Sequence, residues 1–120
     1  MIGYRYKATV IKVIDGDTVE CLVDLGFKIE IRNRFRLARI NAPELHSTDP
    51  IVRDAAKKTL NYVIDKIQDE AIEVVSYKTE KYGRYLAEIY YQPTAQHRGE
   101  GTFINLNDEL LSQGLAIKYE

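Results

Sequence analysis

Two short segments of this chain carry residue types that can support phosphate chemistry. Residues 15–18 read Asp-Gly-Asp-Thr and place carboxylates at a turn, while the stretch from Arg36 to Glu44 places an arginine on an apolar strand and a carboxylate just past Pro43. Carboxylate and amide oxygens bind hard cations such as Ca²⁺, and guanidinium groups bind phosphate. The two segments therefore predict a site that holds a cation beside a phosphate and activates a water.

Each of these residues also has a plainer interpretation when it is taken alone. Asp17 is typical of a turn aspartate, and a single arginine on a strand is usually solvated or paired with a surface acid. Arg84, which follows Gly83, is open to the same interpretation. If Arg36 and Arg84 share a barrel rim with Asp17 and Glu44, they would instead form a bidentate clamp for a phosphodiester.

The composition restricts how nucleic acid can be recognised. The chain has 120 residues, which predicts one domain spanning residues 1–120. Its 17 basic and 18 acidic residues give a formal net charge of −1. This balance excludes a strongly basic body that attracts nucleic acid through its overall field. Phosphate recognition must therefore come from a local cluster of cations.

The sequence carries few signals of compartment. A single cysteine, Cys21, excludes an internal disulfide. No stretch approaches the length of a membrane span, so no membrane partner is expected. The N-terminal residues lack the apolar region of a signal peptide. We expect a cytoplasmic protein by default, and a secreted one only if a leader has been removed.

The order of apolar residues predicts five strands and two helices. A helix between the third and fourth strands predicts a mainly β fold with α, namely a five-stranded OB-type β-barrel with one long and one short helix. Pro50 suits the first turn of the long helix, and either Asn105 or Asn107 caps the short one. The predicted strands are 4–14, 18–25, 27–40 with an interruption near Asn33, 72–75 and 86–91, and the predicted helices are 51–67 and 106–111.

Four motifs, in this order and spread over nearly the whole chain, resemble the staphylococcal nuclease (thermonuclease) family. The resemblance implies a five-stranded OB barrel. It also implies Ca²⁺-dependent hydrolysis of DNA and RNA with little sequence preference, leaving 3′-phosphates. The motifs are Ile14-Asp15-Gly16-Asp17-Thr18-Val19, Phe35-Arg36-Leu37 through Pro43-Glu44, Lys81-Tyr82-Gly83-Arg84, and Asn107 through Leu110-Leu111 to Gly114-Leu115-Ala116.

The resemblance implies a calcium site at the first two motifs. Asp17 would be the carboxylate ligand, Asn41 would occupy the second side-chain ligand position, and Ala42 would offer its backbone carbonyl. Asp15 would shape the surroundings of these ligands. The cofactor implied is Ca²⁺.

The resemblance also implies three catalytic residues. Glu44 would be the general base that orients or deprotonates the attacking water. Arg36 and Arg84 would bind the phosphate and stabilise the charge of its five-coordinate transition state. Loss of either arginine should impair the reaction at least as much as loss of Glu44, because a general base alone contributes on the order of 10²–10⁴-fold.

Asn41 departs from the family, which usually has Asp at this position. The amide keeps an oxygen for the metal but removes a negative charge, and calcium affinity depends on the charge of the ligands. We therefore expect weaker calcium binding. An alternative is that Asn41 only caps a turn before Pro43.

The family commonly continues into a further helix after the segment matched by residues 114–116, whereas this sequence ends at Glu120. We therefore expect a thinner core and a protein that is a monomer or a weak dimer.

Aromatic residues suggest how a substrate could be held. The chain has nine tyrosines and no tryptophan, and base–aromatic stacking is tolerant of sequence. Tyr82 is the best candidate for a nucleotide contact, with Lys81 beside it and Tyr119 and Tyr85 as further candidates. The predicted substrate is single-stranded or frayed DNA or RNA. The alternative is a catalytically weakened OB module that binds nucleic acid or protein.

Overall fold

The computed structural model describes residues 4–79, 84–93 and 102–119. Eight strands and two helices lie in these ranges. They are β1 Tyr4–Asp15, β2 Thr18–Asp24, β3 Glu30–Leu37, β4 Ile40–Asn41, α1 Pro50–Ile67, β5 Ala71–Thr79, β6 Tyr85–Tyr91, β7 Ile104–Asn105, α2 Leu106–Ser112 and β8 Ile117–Lys118. Neither helix within these ranges is long and apolar enough to cross a membrane.

Five strands close into a barrel. They lie in the order β3-β2-β1-β5-β6, and β3 also pairs with β6. The pairings are antiparallel except for β3 with β6, which is parallel and closes the sheet. The predicted five-stranded OB-type barrel with one long and one short helix is therefore confirmed. The short β7 extends the sheet at β6, while β4 and β8 pair with each other.

Strand alternation places the core as expected. On β2, Val19, Cys21 and Val23 are buried, and on β3 the buried residues are Phe35 and Leu37. The other face of each strand points away from the barrel interior because successive side chains of a strand alternate. Arg36 thus lies on the face opposite Phe35 and Leu37.

The predicted interruption near Asn33 is wrong. Asn33 pairs with Cys21 in an unbroken register that runs from Glu30 to Arg36. The polar Asn33 resembles a change of phase in the sequence, although it occupies an ordinary position on the barrel side of the strand. The real break comes after Leu37, in a turn where Arg39 has a φ of 69°.

The two helices are capped by side chains. Asp49 accepts a hydrogen bond from the N–H of Ile51 (2.9 Å) ahead of α1, and Asn105 accepts one from Asp108 (3.0 Å) at α2. Of the two candidates for the second cap, the structure therefore selects Asn105. The other, Asn107, has a different role that bears on the site.

Asn107 is fully buried and joins α2 to the barrel. Its Nδ2 donates to the carbonyls of Ala38 and Ala87, each at 2.9 Å. Its Oδ1 accepts from the N–H of Ile89 at 3.1 Å. Because Ala38 begins the turn between β3 and β4, this amide fixes the turn that leads to Asn41.

Candidate functional site

The turn between β1 and β2 packs tightly against two other parts of the chain. A Cβ on Gly16 would lie 2.6 Å from Thr59 Cγ2 and 2.9 Å from Ala42 Cβ. These separations are far below a van der Waals contact, so glycine permits the close approach. Within the turn, Asp15 Oδ1 accepts the N–H of Asp17 at 3.0 Å. The turn is thereby held against the segment that follows β4.

Asp17 joins the two segments that the sequence singled out. Its Oδ2 accepts the backbone N–H of Ala42 at 2.9 Å, and its Oδ1 accepts from the Thr18 hydroxyl at 3.3 Å. Its backbone carbonyl accepts from the N–H of Leu37 at 2.8 Å. With a side chain only 13% exposed, this carboxylate has a fixed orientation.

Arg36 reaches the same place from β3. Its Nη2 donates to Asn41 Oδ1 at 2.8 Å and lies 3.6 Å from Asp17 Oδ2. Its Nη1 donates to the carbonyls of Leu37 (3.2 Å) and Ile40 (3.1 Å). The guanidinium is thus held between two candidate metal ligands, in a side chain that is 11% exposed.

Tyr119 forms one side of this arrangement. Its ring centroid lies 5.4 Å from Arg36 Cζ, within the range of a cation–π contact. The backbone N–H of Tyr119 donates to the Arg39 carbonyl at 2.8 Å. Tyr119 is still 53% exposed, so one face of the site carries an accessible aromatic ring.

Glu44 lies in the loop after β4 and is exposed. Its backbone carbonyl accepts the N–H of Ser47 at 3.3 Å. Its carboxylate forms no hydrogen bond or ion pair with the described residues. Glu44 borders a groove of about 350 Å³ that is lined by Asn41, Ala42, Pro43, Val52 and residues 114–117. The groove therefore connects this carboxylate with the Asn41 segment.

Arg84 lies immediately before β6 and is exposed. Tyr85 pairs with Phe35 and Leu86 with Arg36 in the parallel ladder that closes the barrel. Arg84 therefore directly precedes the strand next to the one that carries Arg36. Tyr85, a further predicted contact, packs its ring 6.5 Å from that of Phe35 and is 41% exposed.

Two predicted substrate contacts, Lys81 and Tyr82, lie outside the described residues. The structure brings five of the other predicted residues together, namely Asp17, Arg36, Asn41, Ala42 and Tyr119. Asp17, Asn41, Ala42 and Arg36 are in direct contact, and Tyr119 touches Arg36.

The oxygen atoms of Asp17 and Asn41 are of the type that binds a hard cation. Burial, with the neighbouring Asp17 carboxylate adding to it, raises the pKa of Asp15 to about 6. The Asp17 carboxylate and the Asn41 amide oxygen both lie against the Arg36 guanidinium, and oxygen ligands of these two types bind Ca²⁺. Within the described residues, no group of three or more His, Cys, Asp or Glu side chains could hold a metal ion. A calcium ion here would need further oxygens from the backbone, water or a substrate phosphate.

A second ion pair, between Arg39 and Glu88, lies next to the candidate site and was not predicted from the sequence. Arg39 donates Nε and Nη2 to the two carboxylate oxygens of Glu88 at 2.8 and 2.6 Å, and Nη2 also to Asp108 at 2.7 Å. Asn105 donates to Glu88 Oε1 at 3.0 Å. The hydrogen bond with Glu88 raises the pKa of Arg39. A glutamate within the apolar strand 86–91 was the available signal, because a buried carboxylate requires a partner.

Comparisons with known proteins identify the family to which this chain is similar. A family model described as staphylococcal nuclease homologue matches residues 34–120. A protein of Haemophilus influenzae named an uncharacterized endonuclease is 32% identical over 111 residues, covering 92% of this chain and 51% of that protein. An uncharacterized protein of Methanocaldococcus jannaschii is 28% identical over 135 residues, covering 96% of this chain and 60% of that protein.

The chain spans between about half and three fifths of the length of these two relatives. Arg36, Asn41, Glu44 and Arg84 lie within the part matched by the family model, whereas Asp17 precedes it. The family match therefore does not cover Asp17, and its contacts with Ala42 and Arg36 are seen only in the structure.

Proposed function

This chain belongs to the family of staphylococcal nuclease homologues, and from that premise we propose that it hydrolyses phosphodiester bonds of DNA or RNA with little sequence preference. The observation that supports the proposal best is the position of Arg36 between Asp17 and Asn41. The exposed carboxylate of Glu44 lies in the same short segment as Asn41. A phosphate-binding cation and a candidate base are thus supplied by neighbouring parts of one site.

Glu44 is the proposed general base. Its carboxylate accepts a proton from a water whose oxygen forms a bond to phosphorus. The bond from phosphorus to the 5′-oxygen breaks, and that oxygen takes up a proton and leaves as a hydroxyl. The products are a 3′-phosphate and a 5′-hydroxyl. General-base catalysis of this kind contributes on the order of 10²–10⁴-fold.

Arg36 and Arg84 are proposed to bind the phosphate. Charge builds up on the non-bridging oxygens during attack, and pre-oriented donors stabilise it strongly in a partly buried site. The carbonyls of Leu37 and Ile40 and the amide of Asn41 already orient the Arg36 guanidinium. Arg84 is exposed just before the adjacent strand β6 and would approach from the solvent side.

Asp17, Asn41 and the Ala42 carbonyl are the proposed ligands of calcium. When bound there, the ion would add positive charge next to the phosphate oxygens and help to lower the pKa of water. Asp17 is oriented for this by the Ala42 N–H and the Thr18 hydroxyl. Asp15 holds the backbone of Asp17 by accepting its N–H.

One experiment tests the proposal. The purified protein is incubated with a labelled single-stranded DNA across a calcium series, with a chelator control, and the product ends are analysed for 3′-phosphate. Calcium-dependent cleavage that Glu44→Gln lowers by at least about 10²-fold is expected. Asp54→Asn is the matched control, since Asp54 is an exposed carboxylate on α1. Equal cleavage by Glu44→Gln and the native protein would disprove the role of Glu44.

A catalytically weakened binding module is the second candidate. Two observations favour it: Asn41 contributes no charge, and its Oδ1 already accepts a hydrogen bond from Arg36. This candidate predicts that the protein binds the labelled strand but leaves it intact even at high calcium concentration. Cleavage in the same assay would exclude it.

A further inference from the structure

Three arginines form a row on the outer face of β3. Arg32, Arg34 and Arg36 alternate with the residues that face the barrel, so their side chains share one face of the strand. Residues two apart on a strand are separated by about 6.6–6.8 Å. This spacing is close to the separation of successive phosphates in a nucleic-acid strand. The row ends at Arg36, inside the candidate site.

The first two members of the row are accessible and oriented. The side chains of Arg32 and Arg34 are 67% and 65% exposed. Glu20 of β2 orients both, because its Oε1 accepts Arg34 Nε at 3.1 Å and its Oε2 lies 3.8 Å from Arg32 Nη1. Two guanidiniums thus share one carboxylate, which leaves the pair with a net positive charge and with donors directed to solvent.

From this arrangement we propose that Arg32 and Arg34 bind the backbone of single-stranded nucleic acid and guide it to the candidate site at Arg36. The proposal rests on the nuclease function proposed above, and it adds a binding surface that determines which substrates are held. It also supplies a local cluster of cations, which a chain with a net charge of −1 needs in order to bind phosphate. Phosphate contacts of this kind hold a strand without reading its sequence.

The flanks of the row favour one strand over a duplex. On β2, which pairs with β3, Glu20 and Asp24 lie on the same outer face. Glu20 is already paired with Arg32 and Arg34, but the exposed Asp24 carboxylate would repel the phosphates of a second backbone. Beyond Arg32, Glu30, which pairs with Asp24, adds one further acid. The row of arginines can therefore hold a single nucleic-acid strand, and it extends from Arg32 to Arg36.

The test measures binding separately from cleavage. In a Glu44→Gln background with chelator present, fluorescence anisotropy gives the affinity for a labelled 12-nucleotide DNA and for the equivalent RNA at several salt concentrations. For Arg32→Gln with Arg34→Gln, we expect binding to weaken by about tenfold or more at low salt. The slope of log K against log salt should fall by about 1.4, since each lost phosphate contact on a single strand contributes about 0.7.

Two controls make the result specific. Lys57→Gln with Lys58→Gln removes the same charge from exposed positions on α1 and should leave the slope unchanged. Arg32→Lys with Arg34→Lys keeps the charge and should restore most of the slope. An unchanged slope in Arg32→Gln with Arg34→Gln would overturn the proposal. An equal loss of slope in Lys57→Gln with Lys58→Gln would also overturn it.

The same variants separate this proposal from the nuclease function. In an otherwise native protein, the double glutamine variant should lose kcat/KM on the 12-nucleotide strand and keep its activity on a dinucleotide, which is too short to reach Arg32. If the protein binds the strand through the row but cleaves neither substrate, only the nuclease function is refuted. Cleavage with equal losses on both substrates would refute the guiding role alone.

Discussion

Arg36 donates a hydrogen bond from its Nη2 to Asn41 Oδ1 over 2.8 Å. The same nitrogen lies 3.6 Å from Asp17 Oδ2, so a cation of the protein itself bridges the two proposed calcium ligands. Asn41 meets this cation with a neutral oxygen. A carboxylate at that position would attract both the guanidinium and a metal ion more strongly.

Asn41→Asp is therefore expected to increase calcium affinity. A second carboxylate raises the ligand charge, on which the affinity of a calcium site depends. We expect the dissociation constant to fall by about tenfold, measured by calorimetric titration, with a parallel fall in the calcium concentration for half-maximal cleavage. Asn41→Ala removes the oxygen and should weaken binding. Unchanged affinity in both variants would show that Asn41 is not a ligand.

Arg36→Lys should lower both activity and stability. Lysine keeps the charge but cannot reach Asn41, Leu37 and Ile40 with one planar group. We expect kcat to fall by about 10²–10³-fold and the free energy of unfolding to fall by about 1–3 kcal/mol, because buried acceptors lose their donor.

Arg34→Lys is the matched control for that variant. Arg34 lies two residues earlier on the same strand, is mostly exposed and pairs with Glu20, and exposed pairs contribute about 0–1 kcal/mol. Its free energy of unfolding should change little in chemical denaturation. Equal changes in the two variants would mean that the buried contacts of Arg36 have no special importance.

The sequence predicted those parts of the fold that depend on local pattern. Alternation on β2 and β3 placed Cys21 and Phe35 inside the barrel, and the same alternation placed Arg36 outside. It failed at Asn33, where a polar residue faces the barrel without changing the register. Such a residue looks like a break when only its own strand is considered, because the partner strand that keeps the register is not visible in the pattern.

The candidate site was predictable in membership but not in its contacts. Motif order indicated Asp17, Arg36 and Asn41, but nothing local shows that Arg36 binds Asn41. Likewise, the pairing of Arg39 with Glu88 joins residues 49 positions apart. Contacts of this kind depend on how the barrel closes, which is a property of the whole chain.

Cys21 should be chemically inert in the folded protein. It is fully buried, and burial raises the pKa of its thiol to about 12. An ordinary cysteine has a pKa of about 8.5, so at pH 8.5 the folded state contains about a thousandfold less thiolate. We expect iodoacetamide to label Cys21 about 10³-fold more slowly than in denatured protein, as followed by mass spectrometry.

The same shift predicts the direction of a pH dependence. Because the folded state favours the protonated thiol, this contribution to stability is complete below about pH 8.5 and is lost as the pH rises towards 12. In denaturant titrations, Cys21→Val should show a smaller loss of unfolding free energy over that interval than the native protein. Rapid native labelling or an identical loss in the variant would contradict the burial of the thiol.

Gly16→Ala should destabilise the turn that carries Asp17. The new Cβ would lie 2.6 Å from Thr59 Cγ2, and relieving such an overlap costs about 1–3 kcal/mol. Thr59→Ser removes that methyl group but keeps the hydroxyl, whose oxygen lies 2.6 Å from the carbonyl oxygen of Leu115 and 3.2 Å from that of Ala55.

The double variant, Gly16→Ala with Thr59→Ser, should recover part of the lost unfolding free energy. The overlap with Ala42 Cβ remains at 2.9 Å, so recovery should be incomplete, and activity should recover less than stability because Ala42 also holds Asp17. A double-mutant cycle in chemical denaturation measures the coupling between the two positions. Additive effects of the two substitutions would show that the turn relaxes away from α1 and that Gly16 does not determine where Asp17 lies.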